Sequence, residues 1–206
     1  MREESPILYV IVEGVTDEPV VTKLLHHTGI ESFLIQSLGG KSNILKRLSG
    51  YNRSSAGGSN WLVIVDLDND ADCAPRHLKE LLFGRRSENL SLRVAVRSME
   101  SWLLADCEGM RKFTGIRASR FPSDPESELH PKRYFIDLIE RECKKERLRK
   151  GLLPSPHSNR LVGPGYTHLM QRFAMKHWRP EVAARRSDSL ARCIRALEEL
   201  KRQSVQ

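Results

Sequence analysis

Two acidic words follow apolar runs. Glu13 and Asp17 lie in VEGVTD (12–17), which continues from ILYVIV (7–12), and Asp66 and Asp68 lie in IVDLDND (64–70), which continues from WLVIV (61–65). Carboxylates with no organised His or Cys beside them select a hard cation, Mg²⁺ or alternatively Mn²⁺. Mg²⁺ keeps several waters and takes further ligands from phosphate, so two or three carboxylates suffice. Glu100 is a further metal-ligand candidate, because it follows a fourth apolar run, Leu92–Val96. Asp17 and Glu100 also have a purely structural use, since a carboxylate in the first turn of a helix is favourable without any metal. Asp70 and Asp72 read as solvated loop acids.

Two cations complete the candidate set. Lys41 opens a helix after Gly39-Gly40, where amide groups and a lysine suit phosphate, and the alternative is a plain surface lysine. Arg97 leaves the fourth run toward the same place, with a phosphate contact or a structural salt bridge as its role. The GGKS word is not a Walker A loop, because Ile35 stands where its first glycine belongs, so no nucleotide cofactor of its own is expected. The run 66–72 is not a calcium loop either: Ala71 replaces the turn glycine and His77 the bidentate Glu. Cys73, Cys107, Cys143 and Cys193 form no CxxC pair, which points to reduced structural thiols rather than a zinc site. His26-His27 reads as a solvated helix end.

The elements that must position these groups alternate as strand and helix. Strands are expected at 7–12, 33–38, 61–65 and 92–96. Helices are expected at about 18–28, from 41 to about Leu48, at about 74–83 and at 98–106, the last capped by Ser98. The segment 50–60 (GYNRSSAGGSN) reads as a loop. Four βα repeats predict an α/β fold with a Rossmannoid parallel sheet and flanking helices. In such a sheet, groups just past the carboxyl ends of strands converge on one crevice, which brings Glu13, Asp66 and Asp68 together.

Beyond about residue 111 the period changes. Phe135, Leu138, Ile139 and Cys143 mark one amphipathic helix, and Leu190, Ile194, Leu197 and Leu200 another. The division expected is an α/β domain at 1–110 and a basic C-terminal helical subdomain at 111–206. Residues 1–110 carry a formal net charge of −3 and residues 111–206 one of +11. A basic half beside an acidic crevice suits a polyanion, DNA or RNA, lying across a metal site; a solvated helical surface is the alternative. No apolar stretch approaches a membrane span, and MREESP lacks a signal-peptide apolar segment, so the expectation is a cytoplasmic protein without membrane contact.

A strand ending in Glu-Gly, with Asp17 four residues after Glu13, and a later strand ending in Asp-x-Asp together resemble the TOPRIM domain. EGVTD (13–17), RSMESWLLAD (97–106) and VGPGY (162–166) are similar to the overcoming-lysogenisation-defect (OLD) nucleases and their small stand-alone bacterial relatives. That resemblance implies a Mg²⁺-dependent nuclease. Glu13 would act as ligand or general acid/base, Asp66 and Asp68 as ligands, and Asp17 would help hold a second ion. It also implies a separate ATPase subunit as a partner and a place in phage defence, because OLD-type proteins join a TOPRIM nuclease to an ATPase. Tyr166 reads as a packed or base-stacking tyrosine rather than a topoisomerase nucleophile. Two other readings stand beside the nuclease. One is a non-catalytic subunit that binds nucleic acid or a partner. The other is a haloacid-dehalogenase-like phosphatase, whose pattern wants Thr or Val where this chain has Asp70.

Overall fold

The computed structural model describes residues 6–70, 74–81 and 85–203. The four apolar runs form four strands, β1 (Leu8–Val12), β2 (Phe33–Ser37), β3 (Asn60–Asp66) and β4 (Leu90–Ala95). They pair in parallel in the order β2-β1-β3-β4. The chain therefore leaves β1 to one side and returns to its other side as β3. That reversal is a topological switch point, and it opens a crevice between the carboxyl ends of β1 and β3.

Helix α1 (Asp17–His27) buries Val20, Val21, Leu24 and Leu25, one stripe of a 3.6-residue period. Helix α2 spans Lys41–Ala56, so the loop expected from residue 50 is helix for most of its length. Ile44, Leu48 and Ser55 share its buried face, and that packing outweighs the weak helix propensity of Gly50, Asn52 and the serines. Helix α3 covers Ala74–Leu81. After β4 come α4 (Met99–Ala105), α5 (Cys107–Thr114) and a 3₁₀ turn at Ala118–Arg120. Then follow α6 (Pro131–Glu142), α7 (Glu146–Leu152), α8 (Tyr166–Lys176), α9 (Pro180–Ala183) and α10 (Asp188–Gln203).

Each face of the sheet has its own apolar core. On one face Ile11, Val63, Val65, Leu92 and Val94 pack with Ile44 and Leu48 of α2. On the other, Val10, Val12, Leu62 and Ile64 belong to one cluster with α1, Trp102 of α4, Phe135 of α6, Phe173 of α8 and Leu197 of α10. The helical half thus shares a core with the sheet, and each fully buried Leu or Phe there contributes roughly 2 kcal/mol. Polar ties reinforce the junction. Buried Asp106 receives the Arg179 guanidinium at 2.6 and 3.0 Å. Ser189 at the start of α10 accepts the Trp102 indole N–H at 2.7 Å. Cys107, Cys143 and Cys193 are free, as expected for structural thiols, and burial pushes the Cys193 thiol up to about 12. Cys73 and the side chain of His77 lie outside what is described. Among the described residues no helix is long and apolar enough to cross a membrane.

Candidate functional site

Glu13 is the first residue after β1 and Asp66 the last of β3. The Glu13 Oε1 atom accepts the Asp66 backbone N–H at 2.7 Å, which ties the two strand ends together. Asp66 Oδ1 in turn accepts the Met99 N–H at 2.9 Å, at the start of α4. Asp17 Oδ2 accepts the Gly14 N–H at 2.8 Å. Each carboxylate is therefore oriented through one oxygen. Among the described residues Asp66 Oδ2 and Asp17 Oδ1 take no hydrogen bond, whereas Glu13 is also held by the Lys41 backbone amide.

The charges press on one another. Burial pushes the Asp66 carboxyl well above the usual carboxylate range, and Glu100, Asp17, Glu13 and Asp68 push it further. Asp17 is raised to about 7, first by burial and then by Glu100 and Glu13, against the Gly14 hydrogen bond. Glu13 is also raised, by burial, despite the Asp66 amide and the nearby Lys41. All five sequence-derived acids therefore belong to one electrostatic cluster, and a bound cation would relieve it.

Glu100 is buried in the first turn of α4 and has three partners. It accepts Ser98 Oγ at 2.9 Å, Tyr166 Oη at 3.0 Å and Lys132 Nζ at 3.0 Å. Ser98 stands at the expected cap position, but its hydroxyl serves Glu100, and Asp66 caps the Met99 amide instead. Lys132 enters from the first turn of α6. Burial pulls its pKa down, yet Glu100, with Asp66 and Asp17 behind it, leaves it raised overall. Lys132 is the site residue that sequence reasoning missed. Nothing local distinguishes it among the 22 Lys and Arg of residues 111–206. Tyr166 is packed, as expected, and its hydroxyl reaches the site.

Asp68 sits at the edge of the cluster with φ of 50°, a left-handed conformation that aspartate tolerates better than most residues. Lys41 Nζ lies 2.7 Å from Asp68 Oδ2 and 2.6 Å from Asp70 Oδ2, with the lysine side chain only 13% exposed. Lys41 is thus an internal clamp on this loop rather than a plain surface lysine, and Asp70 is ion-paired rather than merely solvated. The cause is the α2 amino terminus, which places residue 41 beside the end of β3. Asp72 lies outside the described residues. Arg97 donates to the Asp68 carbonyl at 3.3 Å and lines the same crevice. At Gly14 a Cβ would meet only Asp17 Oδ2, at an ordinary 3.6 Å, so the chain makes no close backbone approach there that would demand glycine.

A crevice of about 550 Å³ opens past the ends of β3 and β4, walled by Asp66, Asp68 and Glu100 on one side and by Lys132, Arg133 and Leu161 from the helical half on the other, with Glu13 and Asp17 outside its lining. Among the described residues no group of three His, Cys, Asp or Glu side chains forms a ready cage for a metal. The donor set still fits Mg²⁺, which keeps waters and takes phosphate oxygens instead of demanding an all-protein cage. The groups are oxygen-only, Asp66 and Asp17 each keep an oxygen without a hydrogen bond, and the mutual repulsion of the carboxylates favours a divalent ion. No protein-family model, curated protein or solved structure matches this chain.

Proposed function

We propose that this protein is a Mg²⁺-dependent nuclease of TOPRIM type that hydrolyses phosphodiester bonds of DNA or RNA in the crevice past the β3 and β4 ends, beside the Glu13 carboxylate. The observation that supports it most is the joined carboxylate set Glu13–Asp66–Asp17–Glu100, faced by Lys132 from the helical half. A hydrolase acting on a phosphodiester needs both signs of charge at one place: anions to hold a cation, and cations to meet the substrate phosphate.

Glu13, Asp66 and Asp68 would hold Mg²⁺ (or Mn²⁺), with Asp17 available to a second ion and Glu100 able to join it only by giving up Lys132, Ser98 or Tyr166. The bound metal would supply an activated water and charge neutralisation at the phosphate. The residues of the chain do the rest. The Asp66 and Met99 amides fix the directions of the Glu13 and Asp66 carboxylates. Lys132 and Arg97 would approach nonbridging phosphate oxygens. Lys41 keeps the Asp68 loop in its left-handed turn and would contact phosphate only after releasing Asp70. With no Walker A word in the chain, coupling to ATP would require a separate ATPase subunit, the arrangement suggested by the phage-defence relatives it resembles.

The test is direct. Purified protein is incubated with end-labelled single- and double-stranded DNA and RNA, with Mg²⁺, with Mn²⁺ and with EDTA. Metal-dependent cleavage lost in the Asp66→Asn variant supports the nuclease. Binding without cleavage under every condition would leave a non-catalytic subunit.

A further inference from the structure

Some cations of the helical half are matched by a nearby acid, among them Arg111 by Glu108, Arg120 by Glu142, Lys150 by Glu146 and Arg192 by Asp188. A group at the junction of α5, α7 and α8 is not. Lys145 Nζ donates to the Lys112 and Phe113 carbonyls at 3.1 and 2.7 Å, closing the end of α5. The Arg172 guanidinium lies 5.9 Å from the Phe113 ring centroid, and the His177 ring 5.7 Å from it. Lys176 follows one turn after Arg172. Among the described residues Lys112, Lys145, Arg172 and Lys176 make no ion pair. Their joint field is felt at His177, whose pKa is lowered by burial and then by Arg172, Lys145, Lys176 and Lys112. Four like charges held together without counter-charges cost stability, which favours an external anion as their partner.

Helix α8 connects this group to the crevice. Its first residue, Tyr166, bonds Glu100, and Lys176 is its last. Ten residues at 1.5 Å each separate the two by roughly 15 Å. Thr167, His168, Met175 and Lys176 are exposed and Gln171 and Arg172 partly so, which makes one continuous outer stripe along the helix.

We propose that Lys112, Lys145, Arg172 and Lys176 form a second phosphate-contact surface, which grips the backbone of the nucleic acid at the far end of α8, roughly 15 Å along the helix from Tyr166. The identity of that strand rests on the nuclease reading. The span equals about four base-pair steps of duplex at 3.4 Å each. Short substrates would reach one place at a time, and long ones both.

The experiment compares wild-type protein with the Lys112→Gln/Arg172→Gln/Lys176→Gln variant, leaving Lys145 because it closes α5. Fluorescence anisotropy in EDTA measures binding of oligonucleotides of about 20 and about four nucleotides across a salt series. Expected is at least about a tenfold loss of affinity for the long strand and a fall of about 2 in its salt slope, at about 0.7 per single-strand phosphate contact, with a smaller loss for the short strand, which meets fewer of these cations at once. Equal long-strand affinity and slope in a folded variant overturns the proposal, as does wild-type protein that binds polyglutamate but no nucleic acid. Should the triple variant fail to fold, exposed Lys176→Glu alone must still lower the long-strand slope by about 0.7 or more. Wild-type protein that binds long strands through these cations but never cleaves would sink the nuclease reading and leave this surface standing. Cleavage with an unaffected variant would do the reverse.

Discussion

The Glu13 carboxylate accepts the Asp66 backbone N–H at 2.7 Å, so a side chain from one acidic motif fixes the main chain of the other. The two motifs are 53 residues apart in sequence, yet they form one unit at the ends of adjacent strands. Disturbing either residue should therefore disturb the same site.

Asp66→Asn and Glu13→Gln should each lower metal-dependent cleavage at least about a hundredfold, since about 2.7 kcal/mol of lost transition-state stabilisation corresponds to two decades in rate. Isothermal titration with Mg²⁺ should show weakened binding in both variants. Nucleic-acid affinity in EDTA should persist, because its cations lie in the helical half. Asp188→Asn, on the exposed face of α10, serves as the control and should change little. Full activity in both site variants would place the chemistry elsewhere.

Stability of the metal-free protein should fall as pH rises toward 7. Folding raises Asp17 from its ordinary 3.8 to about 7, and raises Asp66 and Glu13 in the same direction. Between those values the unfolded chain has lost a proton that the native state keeps, so each step up in pH favours unfolding. The contribution is intact below the ordinary aspartate value and gone above about 7. Mg²⁺ competes with the same protons, so its affinity should rise over that window and protons should be released on binding. Thermal melts in EDTA and in Mg²⁺ at about pH 5.5 and about pH 8 check this. An Mg²⁺-induced shift of equal size at both pH values would contradict it.

The four strands and the acids at their ends are legible in the sequence because buried parallel strands read as short apolar runs, and the chemistry follows them directly. The outer half of α2 is not, because its buried positions Leu48 and Ser55 are set in a stretch of Gly, Asn and Ser that favours turns locally. Lys132 and the Lys41–Asp70 pair are invisible for another reason. Ion pairing across elements depends on how α6 packs on α4 and where α2 begins, and no periodicity encodes that.

Lys132→Gln should separate metal binding from turnover. The substitution removes a cation 3.0 Å from Glu100 whose charge also reaches Asp66 and Asp17. With less positive charge beside the acids, Mg²⁺ should bind more tightly. Cleavage should nonetheless slow by about tenfold or more, because the phosphate loses a positive partner in the transition state. Weaker Mg²⁺ binding would mean that Lys132 chiefly orients Glu100.

The turn between α7 and α8 should hold the least tolerant glycine position among the described residues. Gly163 donates its N–H to the Leu152 carbonyl at 2.8 Å, and Gly165 donates to Gly151 at 2.9 Å, so two backbones lie against each other. A Cβ at Gly163 would stand 2.9 Å from the Leu152 carbonyl carbon and closer still to the oxygens of Leu153 and Gly151. Backbone atoms cannot rotate aside as a side chain tip can, so the turn itself must open. Gly163→Ala should cost about 3 kcal/mol or more by urea unfolding, at or above the upper end of ordinary overpacking. It should also slow cleavage, because α8 begins at Tyr166, whose hydroxyl holds Glu100. Gly50 gives the opposite case. It lies inside α2 with nothing within 4 Å of the place a Cβ would take, so Gly50→Ala should stabilise by about 0.5–1 kcal/mol. If the two alanine variants behave alike, the α7–α8 turn does not approach its neighbour as closely as these distances require.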